Sequence, residues 1–448
     1  MSPNTSEFAK SGDINYRENA IAFSPNAGSR KPFYDRAFGK LGKGSLRGSI
    51  FSLCASAIGS GVLSLPYVLG LNGWVLGLVF IIVGGFSAAW SLFMIAESAI
   101  KARVKNYSQL ANKVGGKGLE LFLQINILIY MWGSCISYQI IISKLLGKFL
   151  LKCGLGDAMF FDSWQYRAIQ GAPTAVLILL PLSLIKDMSG FRHISVISIF
   201  ALIYTGLVLF IELPGYIDKN YASAHIVAAW FDWNFFTGAS ITFFAYTCQV
   251  QLLPIYSELV NPNEKRIKKV ISRSVIVDLV FYISIALAGY FSTYDKTPKI
   301  VLDRDALDGG RDYALMIAQF SIVLVLFVAV PVNYNPFRNQ IFYMFFKKDS
   351  FSFKENLACT VTFLGITCTI AIAYPDVSSV LGILGGLNAT AIQFLVPMLC
   401  SVKVSGQPYT SPMNLFKIAF FGILTLIGYT NVCTTIYRMV TGTDVIGR

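Results

Sequence analysis

Two places in this sequence set small or polar residues in the middle of long apolar runs. Residues 48–70 read GSIFSLCASAIGSGVLSLPYVLG, with Gly59, Ser60 and Gly61 at the centre. Residues 234–257 carry Tyr246, Thr247, Gln249, Gln251 and Pro254 where apolar side chains belong. Glycine costs about 1 kcal/mol relative to alanine in a helix interior, and a mid-helix proline removes a backbone hydrogen bond. Both runs are therefore expected to unwind. In an unwound first run, the backbone N–H groups near Gly61, Val62 and Leu63 face the cavity at the positive end of the second half-helix, and such a site suits a carboxylate.

Glycine has a second use that the same residues fit. The spacing Ala57-xxx-Gly61 lets two helices approach closely. Binding and packing are both open on this motif alone. The second interruption favours binding, because paired interruptions in corresponding spans point to a site near the middle of the membrane.

Bond-making chemistry finds no support in the rest of the chain, which is read as a non-enzyme. No Ser/His/Asp, Cys/His, zinc-spacing or phosphate-loop pattern occurs, and Gly59-Ser60-Gly61 lacks the continuation of a nucleotide-binding glycine motif. The two histidines, His193 and His225, have no carboxylate or cysteine at ligand spacing, so no metal or cofactor is expected. Seven of the eight cysteines lie inside apolar runs and leave Cys153 without a loop partner, which argues against a disulfide framework.

The elements that must position these residues follow from composition. The 448 residues are 54% hydrophobic and 14% charged, with mean hydropathy +0.59, far from the roughly 25% charge of a soluble domain. Bilayer-spanning helices are predicted. Eleven segments reach the length of about 20 residues that a span needs: 48–70, 74–99, 119–149, 169–186, 191–212, 234–257, 270–292, 312–342, 355–374, 377–401 and 413–437. The fold class is thus all-α, a polytopic membrane protein with its eleven-helix region at 48–438, a basic N-terminal tail at 1–47 and a short tail at 439–448.

Charge orients the spans. With the N-terminus inside, 26 of the 37 Lys and Arg fall on the inner side, while the outer side holds the other 11 beside 12 acidic residues. This favours a cytoplasmic N-terminus and a C-terminus outside or in a lumen. The net charge of +13 is spread over loops, so it reads as membrane topology and not as a nucleic-acid surface. No secretory signal opens the chain, and the first span is expected to serve as its own insertion signal.

Other polar residues lie inside spans. Asp278 is the one acid well within a span, and a functional role is the default for such a residue; proton carriage and pairing with Arg273 are the two readings. Asn126, Tyr130 and Gln139 fall close to one face of the third span, which makes Tyr130 a candidate side-chain contact. Glu97 ends the second span. Asn333, Asn335 and Arg338 sit near the inner end of the eighth, where Arg338 either bridges to Glu97 or Glu258 in an inner gate or snorkels to lipid phosphates.

Together these residues carry a resemblance. The run from Ala57 to Tyr67 followed by Asn72-Gly73-Trp74 resembles the first span of the amino acid/auxin permease family. Phe244-Ala245-Tyr246-Thr247-Cys248-Gln249 with Pro254-Ile255-Tyr256-Ser257-Glu258-Leu259 is similar to its sixth, Val330-Pro331 with Pro336-Phe337-Arg338 to its eighth, and Tyr374-Pro375-Asp376-Val377 through Thr390 with Pro397 to its tenth. The resemblance runs from about residue 46 to 437 and implies the LeuT-like arrangement, two inverted five-helix repeats plus an eleventh helix. It further implies alternating access and amino acid transport. By the same resemblance, Ile58, Gly59, Ser60, Gly61 and Val62 would hold the substrate carboxylate, while Ala245, Tyr246, Thr247 and Cys248 would face its amino group and side chain.

One departure from the family bears on coupling. Sodium-coupled relatives carry an Asn before the Gly-Ser-Gly and a Thr before the Val-Pro of span eight, whereas this chain has Phe51-Ser52-Leu53-Cys54-Ala55-Ser56 and Phe327-Val328-Ala329-Val330-Pro331. Protons or exchange are expected in place of sodium, with Ser56 or Ser321 as the remaining side-chain oxygens. No charge lies in either interruption, so neutral amino acids are the expected substrates. The rival reading is an amino acid sensor on the same fold, signalling through the 1–47 tail. A plasma membrane and a lysosome-like or vacuolar membrane leave the same hydropathy, and the oligomeric state is left open.

Overall fold

A computed structural model describes residues 44–154, 158–185, 191–307, 312–348 and 351–441. Most of the expected 1–47 tail, the 442–448 end and the His193 side chain lie outside the described residues. Among the described residues the regular elements are helical.

The first apolar run forms α1 (Leu46–Ala57), a 3-10 turn at Ser60–Ser64 and α2 (Leu65–Asn72), bent by 49° at the break. Then follow α3 (Trp74–Ala102), α4 (Tyr107–Lys152), α5 (Trp164–Leu184) and α6 (Phe191–Asn220). The sixth run is α7 (Asn234–Ala245) and α8 (Gln249–Glu258) with a three-residue gap. The chain continues as α9 (Glu264–Thr293), α10 (Tyr313–Ile341), α11 (Phe353–Ala373), α12 (Val377–Val404) and α13 (Pro412–Thr441). Every predicted span coincides with one of these helices or broken helices. Nine are long and apolar enough to cross a membrane by themselves, the bent α1–α2 pair makes a tenth, and α7 and α8 are each too short alone at 12 and 10 residues.

Local sequence sets the ends. Asn263 caps α9 by accepting from the Arg266 N–H at 2.8 Å, and Ser352 with Glu355 forms a reciprocal capping box on α11. The third span begins earlier than its apolar run suggests. Tyr107, Leu110, Ala111 and Val114 are buried at helical spacing, so a short amphipathic stretch precedes the span and joins it at Gly116, whose φ of 72° suits glycine. In α12 the helix widens into π-turns at Leu384–Ala389 and Ala391–Leu395, a departure that often accompanies function.

Packing brings the broken spans together at the centre. The α4 and α10 helices run against each other, α9 lies across α1, α2, α3 and α6, and α7 packs on α2, α12 and α13. The loop after α9 folds back between helices: Ile300, Val301 and Leu302 are fully buried, and the turn at Val301–Asp303 touches the Ser60–Ser64 turn. Ion pairs clamp it at three places, Lys299 to Asp376 at 2.8 Å, Arg304 to Glu212 on α6, and Lys148 on α4 to Asp303 and Asp305 at 3.6 and 3.1 Å.

Candidate functional site

Both interruptions unwind at neighbouring points. In the first, α1 ends at Ala57, Ile58 turns out of helix with ψ of 90°, and Gly59 is extended at φ −125° and ψ −153° before the 3-10 turn starts. In the second, Tyr246 and Cys248 leave the helix with ψ of 5° and 10°. The carbonyls of both half-helix ends would be orphans by helix geometry alone.

Two side chains from other helices, Tyr282 and Tyr130, and one beside the second break, Gln249, bond to the backbone at these ends. Tyr282 on α9 places its hydroxyl 2.8 Å from both Ala57 O and Ala245 O. Gln249 accepts from the Cys248 N–H at 3.0 Å and donates to Ser91 on α3 at 3.1 Å. Tyr130 on α4 reaches Thr247 O at 3.5 Å and lays its ring 5.4 Å from that of Phe244. The Thr247 hydroxyl itself turns back to Phe243 O at 2.8 Å.

The two glycines divide the roles that the sequence left open. A Cβ built on Gly61 would stand 2.8 Å from Ala245 Cα, so this residue is where the backbones of the two broken spans touch. A Cβ on Gly59 would meet nothing within 4 Å, and open space lies beside it. Gly61 is the packing glycine, and the free room belongs to Gly59. Residues Ser60 to Ser64 are all buried, and the Ser60 and Ser64 hydroxyls have no protein partner.

Asp278 lies one helical turn before Tyr282 on α9 and is 2% exposed. One of its carboxylate oxygens has no hydrogen bond, and no base pairs with it among the described residues, so the expected pairing with Arg273 is not made. Its neighbours are the Cys54 thiol on α1, which donates to Ser274 O at 3.6 Å, and Tyr246, whose ring lies 4.8 Å from that of Tyr282. The Tyr246 hydroxyl is buried and has no partner. Asp278 therefore belongs with the two breaks.

Glu97 and Arg338 do not meet. Glu97 pairs with Lys268 at 2.7 Å and so ties the end of α3 to the start of α9, with Glu264 on the same lysine. Arg338 is buried near the far end of α10, donating to Ser183 O at 3.2 Å and Asn356 Oδ1 at 2.8 Å. The inner-gate bridge offered from sequence is not made: Glu97 is held by Lys268 and Arg338 by these two neutral oxygens.

Sequence reasoning passed over Tyr282, Gln249 as a cap, Ser91 and Cys54. Tyr282 stands four residues after Asp278, on the same helical face, and that spacing was the available signal. Nothing local in α3 marked Ser91.

A profile described as "Transmembrane amino acid transporter protein" matches residues 42–441. The chain belongs to that family. A curated relative, the putative amino acid transporter AAT1 of Toxoplasma gondii, is 26% identical over 312 residues, which are 69% of this chain and 42% of the relative. The match thus spans less than half of that longer protein. Among solved structures, a manganese transporter of Eremococcus coleocola aligns at TM-score 0.55 and 11% identity, covering 89% of this chain and 88% of the other. The inward-facing form of Mhp1 aligns at TM-score 0.52 and 17% identity, covering 89% and 91%. At such identities the likeness is one of fold. This family member is a multi-pass membrane protein with the LeuT-like arrangement, two inverted five-span repeats and an eleventh helix, in which the two broken spans hold corresponding first places.

Proposed function

We propose that this family member carries neutral amino acids across the membrane by alternating access, coupled to protons or running as an exchanger, and not driven by sodium. The observation that carries the reading is the Tyr282 hydroxyl, 2.8 Å from both Ala57 O and Ala245 O. It links both breaks to the helix that holds Asp278.

In this reading the substrate carboxylate takes the N–H groups between Ile58 and Val62, entering through the open space at Gly59. Its amino group and side chain face Ala245 to Cys248, with Tyr130 on the third side. Neither interruption carries a charged residue, which favours a neutral side chain. Asp278, buried without a base, takes and releases a proton as access alternates. Against sodium, the stretches Phe51–Ser56 and Phe327–Pro331 lack the Asn and Thr that sodium-coupled relatives carry there. The N-terminus is placed in the cytoplasm, in a plasma membrane or a lysosome-like or vacuolar one, on the count of basic residues.

The test uses purified full-length protein in proteoliposomes with a panel of labelled neutral amino acids, with and without sodium and an inward proton gradient. Saturable uptake that follows the proton gradient or internal substrate and ignores sodium is expected. Uptake that requires sodium and ignores an imposed pH gradient refutes the coupling. Specific binding with no flux would make the protein a receptor.

A further inference from the structure

Where α3 ends and α4 begins, the chain carries Lys101, Arg103, Lys105, Lys113 and Lys117, and all five are exposed. The fold gathers them. Lys113 donates to Ala102 O at 2.6 Å, which brings the first turns of α4 back onto the end of α3. Tyr107, Leu110, Ala111 and Val114 bury the other face of those turns against the protein. The apolar side of the stretch is thus covered, and its basic side is left outside.

The nearby acids are already committed. None of the five bases enters an ion pair among the described residues. Glu97 and Glu264 both hold Lys268, at 2.7 and 2.8 Å, while Glu120 accepts from Asn112 and, at 3.3 Å, from Gln124. Residues 1–43 carry seven Lys and Arg against four Asp and Glu, so the sequence before α1 adds no net negative charge.

Depth and direction come from α4 itself. Leu121, Ile125 and Ile129 recur every four residues and are 49, 43 and 37% exposed, a stripe that faces lipid. Lys117 stands four residues before Leu121 on the same line, so the basic cluster starts where the hydrocarbon ends. A partner approaching from water would not need that stripe beside it; a lipid does.

We propose that this cluster is a docking surface for anionic phospholipid headgroups, held by Arg103, Lys105, Lys113 and Lys117 at the edge of the bilayer. Basic residues clustered immediately beside a span attract such headgroups. Under the orientation proposed above the surface meets the cytoplasmic leaflet, where anionic lipids concentrate. The segment it holds reaches the second break: Tyr107 donates to Ile392 O at 2.8 Å, and the next residue, Gln393, lies 3.4 Å from the Thr247 hydroxyl. Lipid bound here would steady α12 against that break.

Full-length protein in a neutral detergent is titrated with dioctanoyl phosphatidylserine, dioctanoyl phosphatidylcholine or glycerophosphoserine, and retained ligand is read by native mass spectrometry. Phosphatidylserine alone is expected to be retained saturably, with an affinity that falls as salt rises. Lys105→Gln combined with Lys117→Gln should weaken it about twenty-five-fold, at about fivefold for each basic residue near a charged surface. Lys347→Gln combined with Lys354→Gln, beside the ends of α10 and α11, removes the same charge and should cost less than about threefold. All four residues are exposed, so both variants keep the fold. Equal retention of phosphatidylcholine, or equal losses in the two variants, overturns the surface. Glycerophosphoserine retained at matching affinity overturns the lipid and leaves a free-anion site. Only the choice of leaflet rests on the proposed function, and because the experiment does not read transport, its failure leaves that function standing.

Discussion

The carbonyl oxygens of Ala57 and Ala245, the last helical residues of two different broken spans, both lie 2.8 Å from one hydroxyl, that of Tyr282. A phenol carries a single proton, so it serves the two acceptors as a shared donor or alternates between them. Any motion that separates α1 from α7 must break at least one of these contacts. Tyr282→Phe keeps the ring contact with Tyr246 and deletes only this link. It should cost about 1–2 kcal/mol of stability and lower the uptake rate about tenfold or more, as about 1.4 kcal/mol of the transport barrier would. Thermal unfolding and proteoliposome uptake, measured side by side, check both parts.

The two glycines of the first break should respond in opposite ways to the same substitution. Gly61→Ala forces a methyl group to within 2.8 Å of Ala245 Cα, where backbone must move, and a loss of about 1–3 kcal/mol is expected. Gly59→Ala meets open space in an extended conformation that alanine adopts freely, so stability should hold or rise by up to about 1 kcal/mol. If the carboxylate enters beside Gly59, that variant folds yet binds substrate more weakly. Equal stability of the two variants would remove the packing assignment of Gly61.

Asp278→Asn keeps the shape of the residue and removes its proton chemistry. The variant should lose uphill uptake driven by an imposed proton gradient while retaining exchange of labelled for unlabelled substrate. Uptake that still follows the gradient would show that another group carries the proton. Counterflow and gradient-driven uptake in the same vesicles separate the two outcomes.

The Lys299–Asp376 clamp lies outside the spans and gives a pH prediction. Burial works against the charge of Asp376, but Lys299 and the hydroxyls of Ser379 and Ser378 outweigh it and hold the carboxyl below its ordinary value of 3.8. A carboxyl lowered in the folded state contributes fully above that ordinary value and is lost only as pH falls through the lowered one. The clamp should therefore stay closed from pH 7 to about pH 5. With Val301→Cys as a reporter in a background where the exposed Cys153 and Cys433 are replaced by serine, an impermeant maleimide should fail to label at either pH, and adding Asp376→Asn should admit it. Labelling that rises on mild acidification in the parent would contradict the assignment.

Much of the architecture could be read from residue order alone. Span length is set by bilayer thickness and apolar runs by solvent, so the helices fell where hydropathy put them, and glycine, proline and misplaced polar residues marked both breaks for local reasons. The amphipathic start of α4 escaped because residues 107–118 mix lysines and glycines with the four buried positions that give it a face.

What the sequence could not decide was which residues meet. Glu97 had several basic partners open to it, and only the packing of α9 against α3 gave it Lys268 instead of Arg338. The packing of α9 on the two broken spans set Asp278 beside Cys54 and Tyr282 across the breaks, contacts that reach 225 residues back to one break and 37 back to the other. Gly59 and Gly61 are identical in type and two apart in the chain, yet one faces open space and the other the backbone of a distant helix. Local propensity can say that a helix breaks there; which side of the break is room and which is wall depends on what the rest of the chain brings against it.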